Sequence, residues 1–150
     1  VPSTWIPNGF LLRQIHKYPK FVYNETDATC TDTIHRVNYT GPEASARNFF
    51  AATHNSLTWA FSEFIGRSYG GGILELEPNE AEKLPIPTKN WENIDLDRVD
   101  ELLRSRGPEA VLEYTDEILL KQGVGLSDGE IQELRDIWKI LQERRINRSH

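Results

Sequence analysis

The chain has 150 residues, 38% hydrophobic and 27% charged, with a formal net charge of −6. That is enough for one globular domain with a core, and the acidic balance by itself argues against a polyanion partner. No apolar run is long enough to span a membrane and no signal peptide opens the chain. The single cysteine, Cys30, excludes an internal disulfide, argues against structural zinc and fits a reducing cytoplasm. The chain has no methionine and opens VPSTWIPNGF, so it is expected to be a fragment of a larger protein. Its charge is uneven. Residues 1–72 carry six basic and five acidic residues, net +1, whereas residues 73–150 carry eleven and eighteen, net −7. A mildly basic front half permits a polyanion to dock on one side only.

In chain order, FLLRQIHKYPKFVYN is expected to give two short strands broken near Pro19, or an edge strand. NETDATCTD is turn-rich, and DTIHRVNYT alternates, with Ile34, Arg36 and Asn38 on one side and His35, Val37 and Tyr39 on the other. Pro42 and Gly66 bracket a predicted helix over 43–65, with Phe50, Leu57, Phe61 and Phe64 on one face, Phe49 flanking it and Trp59 roughly opposite. Gly70 to Gly72 then lead into a strand, ILELE, with Leu74 and Leu76 on one face and Ile73, Glu75 and Glu77 on the other. Three helices follow. The first is capped by Asp95 or Asn93 and stops at Gly107. The second opens at Pro108 and ends near Gly123. The third starts from a capping box, Ser127 to Glu130, carries Ile131, Leu134, Ile137, Trp138 and Leu141, and ends in arginines. The predicted fold class is α+β: a small mixed β module with one long helix over residues 1–92, and an all-helical C-terminal tail over 93–150.

Familiar chemistry is sparse. Helix, glycines, strand is the wrong order for a phosphate-binding loop. His16, His35, His54 and His150 lack ligand spacing, so no metal site is expected. Cys30 with His35 is a weak nucleophile pair, and a packed or inert thiol is the better reading. Glu75, Glu77, Glu80 and Glu82 resemble a nuclease carboxylate cluster, but alternating Glu and Leu is also what a half-solvated strand looks like. The basic and aromatic residues Arg13, His16, Lys17, Lys20, Arg36, Arg67 and Tyr69 all lie in the basic half. Arginine forks suit phosphates and guanine edges, while a solvated face is the plainer alternative.

TDTIHRV (31–37), NSLTWAFSEFIGRSYGGGILELEP (55–78) and EKLPIP (82–87), in that order, resemble the C-terminal part of N6-adenine DNA methyltransferases of bacterial restriction-modification systems, in the branch related to the TaqI-type enzymes. The likeness spans nearly the whole chain and is most specific at GRSYGGGILELEP followed by LPIP. It implies a target recognition domain that holds duplex DNA, with catalysis in an upstream domain or partner subunit. The family's methyl-donor loop, F-x-G-x-G, and its Asn-Pro-Pro-aromatic motif do not occur here. The chain alone is therefore expected to bind no S-adenosylmethionine, which belongs to the parent, and to have no catalytic residues.

Within that reading His35 and Arg36, and Arg67, Ser68 and Tyr69 beside Gly70 and Gly71, are candidates for reading DNA. Arg13, Lys17 and Lys20 are candidates for phosphate contacts. The glycines are expected to thin the surface so that their neighbours can approach DNA, with tight packing of the helix end on the strand as the alternative. Two other readings stay open: a protein-interaction domain docking partners through its helical tail, and a small nuclease built on Glu75 and Glu77.

Overall fold

The structure, a computed structural model, describes residues 7–25 and 34–148. Cys30, His150 and the Thr31–Thr33 part of TDTIHRV lie outside the described residues. Two small antiparallel sheets share one long ribbon. In the first, strand β1 (Gly9–Leu12) lies between β3 (Phe21–Tyr23) and β4 (Ile34–Val37). Past Arg13 the ribbon continues as β2 (Gln14–Ile15), which pairs with β6 (Ile73–Glu75), and β6 pairs in turn with β5 (Arg67–Tyr69). The α+β expectation therefore holds, and the alternation in ILELE is real: Leu74 and Leu76 are buried while Ile73, Glu75 and Glu77 are not.

The predicted helix over 43–65 is divided. A 3-10 turn (Glu43–Ser45) leads into α1 (Ala46–Ala52), and α2 (Ser56–Ile65) begins after a break. The break is made by side chains that compete for backbone groups. Thr53 Oγ1 donates to the Phe50 carbonyl at 2.6 Å, Asn55 Nδ2 donates to Ala52 at 2.7 Å, and Asn55 Oδ1 caps α2 by accepting from Thr58 N at 2.9 Å. The interruption resets the helical phase. Phe50 is fully buried, but Phe61 and Phe64 are 40% and 64% exposed, and it is Trp59 that is inside. The face expected to join Phe50 with Phe61 and Phe64 is therefore corrected, being split between two helices, while Trp59 on the opposite side is buried.

The glycine run is a hairpin turn. RSY forms β5, so the order is strand, glycines, strand; Gly71 and Gly72 sit at φ 80° and 75°. The tight packing of the helix end on the strand falls instead at Gly66, where a Cβ would lie 2.9 Å from Leu74 Cγ. At Gly71 a Cβ would meet nothing within 4 Å. Gly71→Ala is therefore expected to cost about 1–2 kcal/mol from the left-handed backbone alone. Urea denaturation checks it; a loss above about 3 kcal/mol would reveal packing the turn does not show.

After α3 (Pro78–Ala81) comes an irregular stretch over residues 82–95 with one 3-10 turn (Trp91–Asn93), and then helices. α4 (Leu96–Ser105) has Asp95 at its N-cap, as expected, and α5 (Pro108–Asp116) opens at its proline. A π-helical segment (Glu117–Val124) extends α5, and both Leu119 and Leu120 are buried in it. The capping box is fully formed on α6 (Asp128–Asn147): Ser127 Oγ accepts from Glu130 N at 3.1 Å, and the Glu130 carboxylate accepts from Ser127 N at 2.9 Å.

Three apolar clusters tie these elements together. Leu11, Ile15, Phe21, Phe50, Leu74, Leu76 and Leu84 fill the space under both sheets. Ala51 and Ala52 of α1 pack against Ile94, Leu96, Val99, Leu102, Val111 and Leu119. Trp59 of α2 meets Leu112 and Trp138, and Tyr18 stacks on Trp59 at 4.5 Å. Two buried polar nodes bind the helices further. Asp116 accepts from Ser56 N, Ser56 Oγ and Arg135 Nη2, at 2.9, 2.5 and 2.9 Å. Arg145 of α6 reaches Glu63 of α2 and the carbonyls of Ile15, His16 and Gly72.

Candidate nucleic-acid interface

In an antiparallel ladder, directly opposed residues share a face, so the register sorts the candidate residues. On β1 and β2, Gly9, Leu11 and Ile15 point into the core, while Phe10, Leu12 and Gln14 point out. Opposite Phe10 stand Val22 and Arg36; opposite Leu12 stand Ile34 and, through the Leu12 N to Lys20 carbonyl bond of 3.2 Å, Lys20. Opposite Gln14 stands Glu75, and opposite Glu75 stands Arg67. Lys20, Gln14 and Arg67 are therefore exposed on one outward face of a ribbon about two sheets long, and the register puts Arg36 on the same face, half-buried with its Nε enclosed.

The remaining candidates are elsewhere. His35 is opposite Leu11, on the inner face, and its Nε2 lies 2.6 Å from the Leu76 carbonyl oxygen. Ser68 is opposite Leu74, yet exposed, because β5 is an edge strand. Tyr69 belongs to β5, and Gly70 and Gly71 form the tip of the hairpin. Lys17 is exposed in the connection between β2 and β3, where its carbonyl accepts from Trp138 Nε1 at 2.9 Å.

The face is not purely cationic. Arg13, at the join of the two sheets, is held by Glu77 at 3.1 Å and Glu75 at 3.8 Å. Arg67 Nε donates to Glu80 at 3.2 Å, with 68% of the arginine side chain still exposed. The Glu80 carboxyl is held below the usual carboxylate range, first by the backbone N–H of Glu77 and then by Arg67. Gln14 Nε2 donates to Glu75 at 3.4 Å. Phosphate binding at this end requires arginines to exchange a carboxylate for a phosphate, a fork-for-fork replacement. A shallow depression of ≈450 Å³ marks the join, lined by Leu12, Arg13, Gln14, Ile34 and Glu75. Gln14 was not singled out from the sequence. The alternation that exposes it depends on β1 running straight into β2, and GFLLRQI, with three apolar residues in a row, carries no period of two to announce it.

Among the described residues no group of three or more His, Cys, Asp or Glu could hold a metal ion, and the carboxylates of Glu75, Glu77 and Glu80 are committed to arginines. No helix among them is long and apolar enough to cross a membrane.

The described residues form an α+β domain with an exposed ribbon of mixed charge. The family of the C-terminal domain of the type II methyltransferase M.Eco57I matches residues 1–120, and the chain belongs to that family. No curated protein and no solved structure matches the chain.

Proposed function

We propose that the chain is the target recognition module of a site-specific N6-adenine DNA methyltransferase of a restriction-modification system, similar to the TaqI-type branch. Methyl transfer from S-adenosylmethionine then belongs to a catalytic domain of the same parent chain or a partner subunit. The observation that supports this most is the alignment of Arg36, Lys20, Gln14 and Arg67 on one outward ribbon face, in a chain that belongs to a methyltransferase C-terminal domain family. An exposed β ribbon fits the major groove, where arginine and glutamine read guanine and adenine edges, and neighbouring cations take phosphates. Residues 1–92 carry the DNA-facing module; the helices of residues 93–150 hold it from behind. F-x-G-x-G and Asn-Pro-Pro-aromatic sequences do not occur in these 150 residues, so in this reading the parent or a partner subunit holds the methyl donor.

The test is duplex binding by fluorescence anisotropy across a salt series. Binding is expected to weaken as salt rises, because phosphate contacts release counterions. Arg36→Ala and Arg67→Ala are each expected to weaken it about fivefold or more, in line with the ~1–3 kcal/mol of one good bidentate contact. Duplex affinity independent of salt and of both arginines would overturn the reading. The rival, a protein-docking domain, draws on one observation: Phe61 and Phe64 are exposed and meet edge to face with ring centres 6.2 Å apart. That aromatic pair sits on α2 rather than on the helical tail, whose large exposed apolar residues are Val124 and Ile140.

A further inference from the structure

The join of the two sheets sets one uncharged amide in the outward face. Gln14 is exposed on β2, and Leu12, two residues back on the same face, is half-buried. Both line the ≈450 Å³ depression, together with Ile34 of β4. Lys20 lies beside Leu12, and Arg67 stands two strands, about 10 Å, from Gln14. Cations therefore flank the amide without taking its place.

Glu75 sets which way that amide faces. Gln14 Nε2 donates to Glu75 Oε1 at 3.4 Å, the only side-chain hydrogen bond of Gln14 among the described residues. The reverse orientation would put the amide oxygen against a carboxylate, oxygen facing oxygen. The second N–H and the carbonyl oxygen are left for a ligand, a donor beside an acceptor. Adenine presents the complement in the major groove, its N7 acceptor beside its N6 donor. Guanine offers two acceptors there and cytosine one donor, so neither engages both groups of the amide.

The wall next to the amide is apolar. Leu12, about 7 Å along the ribbon from Gln14, stands opposite Ile34, and this spacing fits within the ~12 Å width of the major groove. Hydrocarbon at that place suits the C5-methyl group of thymine, which only an A·T pair carries.

We propose, resting on the reading of the chain as a DNA target recognition module, that Gln14 and Leu12 read an A·T pair of the recognised site. Gln14, held by Glu75, takes the adenine edge, and Leu12 takes the thymine methyl group.

The experiment selects duplexes from a random pool with the 150-residue chain and measures the enriched sequences by anisotropy across a salt series. The expected result is a motif with a fixed A·T pair, preferred at least fivefold over the other pairs, whose preference vanishes at that position alone in Gln14→Ala. Replacing that adenine with 7-deazaadenine, which lacks the N7 acceptor, is expected to weaken binding of the wild type about fivefold and of the variant not at all. Uracil in place of the paired thymine removes only the methyl group and is expected to weaken binding about threefold, a difference that Leu12→Ala abolishes. The two base analogues test the wild-type chain directly, whatever the variants do to folding. Salt-sensitive duplex binding overturns this assignment, and leaves DNA binding standing, if no base is preferred, if Gln14→Ala keeps every preference, or if the position that changes is a G·C pair. Equal affinity for either analogue and its parent base overturns it in the same way. Absence of salt-sensitive duplex binding overturns the underlying reading and this assignment with it.

Discussion

Arg145→Leu is expected to lower the unfolding free energy by about 3–5 kcal/mol, the cost of leaving one member of a buried ion pair unpaired. Arg145 is 2% exposed and the Glu63 side chain 3%. Every donor of the guanidinium is used. Nε and Nη2 grip the two oxygens of Glu63 at 3.1 and 2.7 Å, Nη2 also reaches the His16 carbonyl at 2.7 Å, and Nη1 serves the carbonyls of Ile15 and Gly72. Five donors in a fixed plane match five acceptors, so Arg145→Lys, with three donors and no fork, is expected to recover little. The double variant Arg145→Leu with Glu63→Leu is expected to recover part of the loss, because the stranded carboxylate is gone but three carbonyls remain unpaired. Guanidinium denaturation reads all three variants. A loss below about 1 kcal/mol for Arg145→Leu would show that the node is solvated in solution and not a structural anchor.

His54 gives the second large effect, and it depends on pH. The ring is 4% exposed, and burial lowers its pKa from 6.5 to about 4, against smaller opposing hydrogen bonds to the Ala51 and Phe50 carbonyls. Nδ1 lies 3.1 Å from the Phe50 carbonyl and 3.3 Å from that of Ala51, so the neutral ring carries its proton there and donates. Between pH 4 and 6.5 the unfolded chain binds a proton that the folded one refuses. Stability is therefore full above about pH 6.5, falls as pH drops, and levels off below about pH 4 after a loss of about 3 kcal/mol. Asp116 acts in the opposite sense, since burial raises its carboxyl above 3.8 and its contribution is lost as pH rises. The two are separated by comparison with His54→Asn, which keeps an N–H for the carbonyl but does not titrate. The difference between the two pH curves is expected to show the histidine window alone. Parallel curves would mean that the folded ring protonates as easily as the unfolded one.

The ease with which these features were read from sequence varied with how local they are. Ser127 to Glu130 and Asp95 announce their helices because a cap is a short-range bond between neighbours, and both formed as expected. Leu74 and Leu76 were legible because a period of two survives any tertiary context that buries one face. The break at residues 53–55 was not read, although Thr-His-Asn-Ser is rich in side chains that steal backbone bonds, because the apolar spacing ran on through it. That phase error placed Phe61 and Phe64 with Phe50, when α2 in fact buries Trp59 beside Ser56, Thr58 and Ser62, small polar residues that let α6 come close.

β5 was hidden for a different reason. Arg-Ser-Tyr has no alternation to advertise, and its strand character comes from pairing with β6 alone. The candidate contacts fared unevenly on the same grounds. Which face a strand residue occupies was readable within one strand, so Arg36 and His35 were known to diverge. That Arg36, Lys20, Gln14 and Arg67 share a face required the register between six strands, which no single stretch of sequence contains. The Arg145 node lay further out of reach, since it joins residues 129 and 130 positions apart.

That separation has a consequence for the order in which the molecule can mature. While a growing chain is still short of residue 145, the Glu63 carboxylate and the carbonyls of Ile15, His16 and Gly72 have no arginine to meet. The glycine hairpin and the ribbon beside it are made early on the ribosome but fastened only after the last turns of α6 emerge. Loop closure over so long a span is slow and comes only after local structure has formed. A chain stalled or truncated before that point should hold its helices and yet leave the hairpin unfastened.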